Sequence, residues 1–312
     1  MKPSVLLTRR IPSAVLNRLE AAADVDLYQG PGLITDEELR HRVRGKEALI
    51  CVLTDQVTAD VLDAGADLQV VANIAVGYNN IDVAAAKARG IVVTNTPDVL
   101  TEATAELTWA LILAAARRVS EGDRLVRRGE WKGWTLDFML GMELRGKQLG
   151  VVGRGRIGRA VAAKAPAFGM HAVFATRTGR PAGAGEVSLD QLLLSSDVVS
   201  LHVPLVDSTR HLIDRRALAR MKRSAILVNT SRGPVIDEEA LGWALGERLI
   251  AAAALDVYEH EPVVHPSLMN FENVVLAPHL GSATRETRTA MIDLAVSNVL
   301  AVLDGHPALT PL

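Results

Sequence analysis

The residues best suited to chemistry sit late in this 312-residue chain. Arg232 lies in "LVNTSRGPVID" (227–237), Glu259 and Glu261 in "ALDVYEHEP" (254–262), and His279 in "VLAPHLGSAT" (275–284). Each follows an apolar run that reads as a buried strand, so each belongs at a strand's carboxyl end, where α/β sheets bind ligands. A guanidinium is a planar fork for a carboxylate. An imidazole titrates near neutral pH and so gives or takes protons. A neighbouring carboxylate orients the imidazole and favours its protonated form. A single loop arginine or histidine is ordinarily a solvated side chain. Three such groups in succession, behind a dinucleotide-type loop, are harder to dismiss.

That loop is "VVGRGRIGRA" (151–160), in which Gly153, Gly155 and Gly158 have the spacing G-x-G-x-x-G. Alone the pattern is weak. Here "KQLGVV" reads as a strand before it and "RIGRAVAAKAPAFG" as a helix after it, with Pro166 expected to end or kink that helix. Gly153 then makes the tight turn, Gly155 lets backbone N–H groups reach phosphates, and Gly158 lets helix and strand pack closely. The next strand, "HAVFAT", ends where a βαβ unit reads the ribose. NAD binders usually place Asp or Glu there. This chain has "ATRTGRP", with Thr176 and Arg177 and no adjacent carboxylate. Thr and Arg accommodate a 2′-phosphate, with Arg154 and Arg180 as assistants, so NADP(H) is expected over NAD(H), which stays possible.

The elements needed to position these groups are legible as alternation. Apolar runs such as "VLLT" (5–8), "ALICVL" (48–53) and "LQVVANI" (68–74) alternate with helical patterns, and a second series begins at residue 147. Continuously apolar strands joined through helices imply parallel sheets buried on both faces. The stretch 101–129 is too long for another crossover and reads as one or two helices. Hydrophobic residues make up 49% of the chain and aromatics only 4%, which suits small-residue α/β packing over two domains. A net charge of −2 gives no electrostatic footprint for nucleic acid or an anionic membrane. "WALILAAA" (109–116) is too short to span a bilayer. The single cysteine, Cys51, reads as a buried small hydrophobe, which fits a reducing cytoplasm.

Over essentially its whole length the sequence resembles the D-isomer-specific 2-hydroxyacid dehydrogenases. "VGYNNID" (76–82), "TEATAEL" (101–107), "VVGRGRIG" (151–158), "HVPLVDSTRHL" (202–212) and the three segments quoted first carry the resemblance. "RRGEWKGWTLDFMLGMEL" (127–144) and the missing ribose acid are most similar to the glyoxylate/hydroxypyruvate reductase branch. The resemblance implies two doubly wound parallel-sheet domains: a Rossmann coenzyme domain, 99–283, inserted in a flavodoxin-like substrate domain, 1–98 plus 284–312. It implies reduction of a small 2-keto acid, with Arg232 on the substrate carboxylate and keto oxygen. His279 is the implied general acid and Glu261, directly before Pro262, its partner. Glu259 is expected to face solvent.

The same resemblance gives the backbone N–H groups of Val76 and Gly77 to the substrate carboxylate, and Leu53 and Thr54 to the pocket wall. Along the coenzyme it implies Thr104, Arg154, Gly155, Arg156, Ile157, Thr176, Arg177, His202, Val203, Pro204, Thr230, Ser231, Asp256 and Gly281. For Asp256 the other reading is a loop-capping aspartate. Trp134 is expected to reach a partner's active site in a homodimer, the other reading being that Trp131, Trp134, Phe138 and Met139 pack a core. No metal is expected. D-3-phosphoglycerate dehydrogenase, a 2-ketogluconate or other 2-ketoaldonate reductase, and a non-catalytic dinucleotide-sensing corepressor are the competing readings.

Overall fold

The structure is a computed structural model and describes residues 2–175 and 185–312. The chain forms two compact units, Met1–Leu100 with Thr284–Leu312, and Thr101–Ala283.

In the first unit, strands β1 (Ser4–Leu7), β2 (Asp24–Leu27), β3 (Ala48–Cys51), β4 (Val70–Asn73) and β5 (Val92–Thr94) alternate with helices α1 (Ser13–Ala22), α2 (Asp36–Arg42), α3 (Ala59–Ala64) and α4 (Val83–Ala88). Their sheet is parallel, in the order β2-β1-β3-β4-β5. This is the flavodoxin-like arrangement. Alternate strand residues enter two cores. Leu6, Leu49, Cys51 and Val71 pack with Leu39, Val61 and Leu62 on one face. Val5, Leu7, Ile50 and Val70 pack with Leu19, Val296 and Val299 on the other, where the C-terminal helix Arg285–Leu303 lies. Burial on both faces is why β1, β3 and β4 read as apolar runs, while the edge strand β2, DVDL, carries two aspartates.

The second unit opens with α5 (Thr101–Ala116) and α6 (Val119–Arg127). Two helices form because Arg118 between them has φ 55°, a left-handed conformation that ends the first. Then come β6 (Gln148–Val152), α7 (Arg156–Lys164), β7 (His171–Ala175), β8 (Glu186–Val187), α8 (Leu189–Ser195) and β9 (Val198–Leu201). After them follow α9 (Arg215–Arg220), β10 (Ile226–Asn229), α10 (Glu238–Gly246), β11 (Ala252–Leu255) and β12 (Val274–Leu276). As Pro166 requires, α7 stops at Lys164 and a 3₁₀ turn, Ala165–Phe168, takes its place. All strand pairs are parallel, in the order β12-β11-β10-β9-β6-β7-β8. The order reverses at β6, the switch point of a doubly wound sheet, where the crevice for a dinucleotide opens. No helix among the described residues is long and apolar enough to cross a membrane.

Candidate active site

The glycine loop occupies that switch point, directly after β6. Gly153 has φ 108°, and a Cβ there would lie 2.4 Å from the His202 carbonyl oxygen. A Cβ on Gly158 would lie 2.0 Å from the Gly153 oxygen. Neither position admits a side chain. Gly155 differs: no atom lies within 4 Å of its Cβ position, so the loop is open on that side. Gly155 is also the N-cap of α7, and no side chain caps the helix. Uncapped N–H groups, positive helix end and open space fit a pyrophosphate. Arg156 and Ile157 form the first turn of this helix.

The ribose-reading positions Thr176 and Arg177, with Arg180, lie outside the described residues. Beside them, Arg154 Nη1 pairs with Glu186 Oε1 at 2.6 Å, and its guanidinium stands over the Phe174 ring, 5.3 Å from the centroid. Glu186 was not legible as a neighbour because β8 is only two residues long; it pairs with Phe174 in register.

The remaining coenzyme candidates gather on neighbouring loops. His202, Val203 and Pro204 follow β9, and burial lowers the His202 imidazole to about 3, so it is neutral at physiological pH. Its Nε2 lies 2.8 Å from Ser200 Oγ. Thr230 Oγ1 lies 2.9 Å from Thr108 Oγ1, and Ser231 donates to Asn229 Oδ1 through both its N–H and its hydroxyl. Thr104 donates to the Gly281 carbonyl at 3.1 Å.

The groups named first converge at the carboxyl ends of β10, β11 and β12. His279 Nδ1 lies 2.8 Å from Glu261 Oε2. Glu261 Oε1 accepts from the Tyr258 N–H at 3.1 Å, which fixes the carboxylate on its own turn. Burial pushes this carboxyl up, but the His279 bond and charge, the Tyr258 N–H and the Arg232 charge outweigh it and hold it below the ordinary range. Arg232 directly follows Ser231, whose carbonyl accepts from its Nη1 at 2.7 Å. Burial lowers its pKa and the Glu261 charge raises it.

His279 itself has φ 55°. A non-glycine residue there stores strain that its surroundings must hold. Asp256 is what holds it. Its carbonyl accepts from the His279 N–H at 2.9 Å, and its carboxylate oxygens accept from the Leu280 and Gly281 N–H groups at 2.6 and 2.8 Å. Asp256 is thus a cap of the histidine loop.

Glu259 does not face solvent as expected. Its side chain is 16% exposed and its Oε1 lies 2.6 Å from His211 Nε2. The reason is Gly233: a Cβ there would lie 1.8 Å from the Tyr258 carbonyl, so the loops after β10 and β11 touch backbone to backbone and enclose the carboxylate.

In the first unit, Leu53 and Thr54 form the turn after β3, and Val76 and Gly77 the loop after β4. Three asparagines set this loop. Asn95 Nδ2 donates to the Val76 carbonyl at 2.8 Å and Asn73 Nδ2 to the Gly77 carbonyl at 3.1 Å. Asn80 donates to the carbonyls of Val52 and Asp55. Sequence reading missed them; for Asn73 and Asn95 the signal is an amide at the end of a buried apolar run, and Asn80 has no such signal. Trp134 is 75% exposed, so it packs no core within this chain.

Residues 109–281 match the model of the D-isomer specific 2-hydroxyacid dehydrogenase NAD binding domain. The chain belongs to that family. It is 50% identical to a glyoxylate reductase of Aeropyrum pernix, over 97% of this chain and 94% of the relative. Among solved structures, a protein from Thermus thermophilus superposes with TM-score 0.93 at 46% identity, covering 99% of both chains. An NADPH-dependent glyoxylate/hydroxypyruvate reductase of Sinorhizobium meliloti, in complex with NADP and malonate, gives TM-score 0.88 at 35% identity, over 100% of this chain and 97% of that one. The present chain is an NAD(P)-dependent oxidoreductase of the glyoxylate reductase branch.

Proposed function

We propose that this enzyme reduces a small 2-keto acid, glyoxylate or hydroxypyruvate, to its D-2-hydroxy acid, with NADPH preferred over NADH. The observation that carries the reading is the 2.8 Å bond from His279 Nδ1 to Glu261 Oε2, on the loops beside Arg232. With Nδ1 held, Nε2 is the nitrogen that gives a proton to the substrate's keto oxygen. Arg232 binds the substrate carboxylate and polarises the same oxygen through its fork. When bound, the reduced nicotinamide supplies the hydride. Val76 and Gly77 N–H groups hold the carboxylate, and Leu53 and Thr54 wall the pocket. The unit Thr101–Ala283 takes the dinucleotide and also carries Arg232, Glu261 and His279.

Preference for NADPH is supported by the absence of a carboxylate at residues 176 and 177 and by the NADP carried by the S. meliloti neighbour. Glu186 works against it, since a 2′-phosphate must compete with its carboxylate for Arg154. The same reading includes a homodimer and a cytoplasmic location. The test is a reduced-nicotinamide absorbance assay with NADPH and NADH against glyoxylate, hydroxypyruvate, pyruvate, 3-phosphohydroxypyruvate and 2-ketogluconate. The expected outcome is the highest kcat/KM with NADPH and glyoxylate or hydroxypyruvate. A roughly tenfold or greater kcat/KM for NADH, which is about 1.4 kcal/mol of discrimination, overturns the coenzyme assignment.

A further inference from the structure

The loops after β9, β10 and β11 are neighbours because their strands are adjacent in the sheet. One carboxylate ties all three. Glu259, on the third loop, reaches His211 on the first through Oε1 at 2.6 Å. Its Oε2 accepts, at 3.1 Å, from the N–H of Glu238, the first residue of α10, directly after the second loop. In return the Glu259 N–H donates to Glu238 Oε1 at 3.0 Å. The middle loop is bonded to the first along its backbone as well, by His211 N–H to the Pro234 carbonyl at 2.8 Å and Ile213 N–H to the Val235 carbonyl at 3.0 Å. His211 has φ 50°, a conformation that these two anchors hold in place.

The position of this tie is what matters. Arg232 directly precedes Gly233, the residue pressed against the Tyr258 carbonyl. Glu261 stands two residues beyond Glu259. The tie therefore fixes the loop bearing the guanidinium against the loop bearing the carboxylate that holds His279. Neither Glu259 nor His211 is needed to touch substrate for this. We propose that Glu259, acting through His211 and the Glu238 backbone, is a positioning residue that sets Arg232 against the Glu261–His279 pair. The proposal rests on the 2-keto acid reductase reading of that site and adds to it a residue with no contact to substrate.

The experiment compares Glu259→Ala and Glu259→Gln in the full-length protein. Glutamine keeps a carbonyl acceptor for the ring N–H or the Glu238 N–H; alanine keeps none. Three quantities are read: keto-acid kcat/KM, NADPH Kd by fluorescence titration without substrate, and the low-field Nδ1 proton resonance of His279 in the coenzyme-free protein. For alanine, kcat/KM falls about tenfold to a hundredfold, the size of loss expected when catalytic groups are misplaced by an ångström or less. NADPH Kd stays within about twofold, the His279 resonance moves, and glutamine recovers most of the activity. Wild-type kcat/KM in the alanine variant overturns the proposal. So does equal loss in both variants with weakened NADPH binding and an unmoved His279 resonance, the pattern of a general structural staple. If the wild type turns over no 2-keto acid, the reductase reading fails; the His279 resonance needs no turnover and still decides the role of Glu259.

Discussion

At the scale of single residues, the site is a set of strained or buried groups, each held by a named partner. His279 stays in a left-handed conformation because Asp256 accepts three N–H bonds around it. A strained backbone fixed from behind in this way holds the loop that carries the imidazole in one preorganised arrangement. His202 carries a different cost. Burial lowers its imidazole from 6.5 to about 3, so between these values the unfolded chain takes a proton that the folded chain refuses. Its contribution to stability is complete above 6.5 and is lost as pH falls toward 3. Melting temperature should therefore decline on acidification below about pH 6.5, and His202→Asn should flatten that decline. Calorimetry of both proteins across this window checks it; parallel curves contradict it. Arg232 and His279 were legible as candidates from type, order and strand-end position, whereas the choice of Glu261 over Glu259 came from the family resemblance; the structure brings His279 and Glu261 together. Glu259 was misread because its enclosure depends on Gly233 lying against a residue 25 positions away, Tyr258. No local pattern encodes that contact.

At the scale of elements, the central strands were legible because both of their faces are buried, which leaves few polar residues in them. The break between α5 and α6 was left open, since it depends on a left-handed Arg118 with no glycine or proline to mark it. The two-residue β8 gave no periodicity to read, and with it went the Arg154–Glu186 pair. The glycine loop carries the clearest test at this scale. Gly155 caps α7 and faces open space, whereas Gly153 and Gly158 are walled by backbone. Gly155→Ala should weaken NADPH binding about tenfold or more, a methyl standing where backbone approaches phosphate, with melting temperature nearly unchanged. Isothermal titration and a melt measure both. Unaltered affinity would place the pyrophosphate elsewhere.

At the scale of the whole molecule, the first unit's strand order is flavodoxin-like and the second's is the dinucleotide-binding order, each with its loops at the carboxyl ends of parallel strands. Trp131, Trp134, Leu136 and Leu140 are all more than half exposed, an apolar run that a lone chain leaves in water. Under the homodimer reading, Trp134→Ala should shift the sedimentation equilibrium toward monomer or raise the substrate KM severalfold; a variant unchanged in both sinks that role. The central claim of the account is narrower: that His279, held by Glu261, gives the proton. It is tested most directly by steady-state reduction of glyoxylate with NADPH by wild type and His279→Gln. The account predicts turnover by the wild type and a loss in kcat of about a hundredfold or more in the variant, with NADPH affinity preserved. A His279→Gln enzyme as fast as the wild type would contradict it.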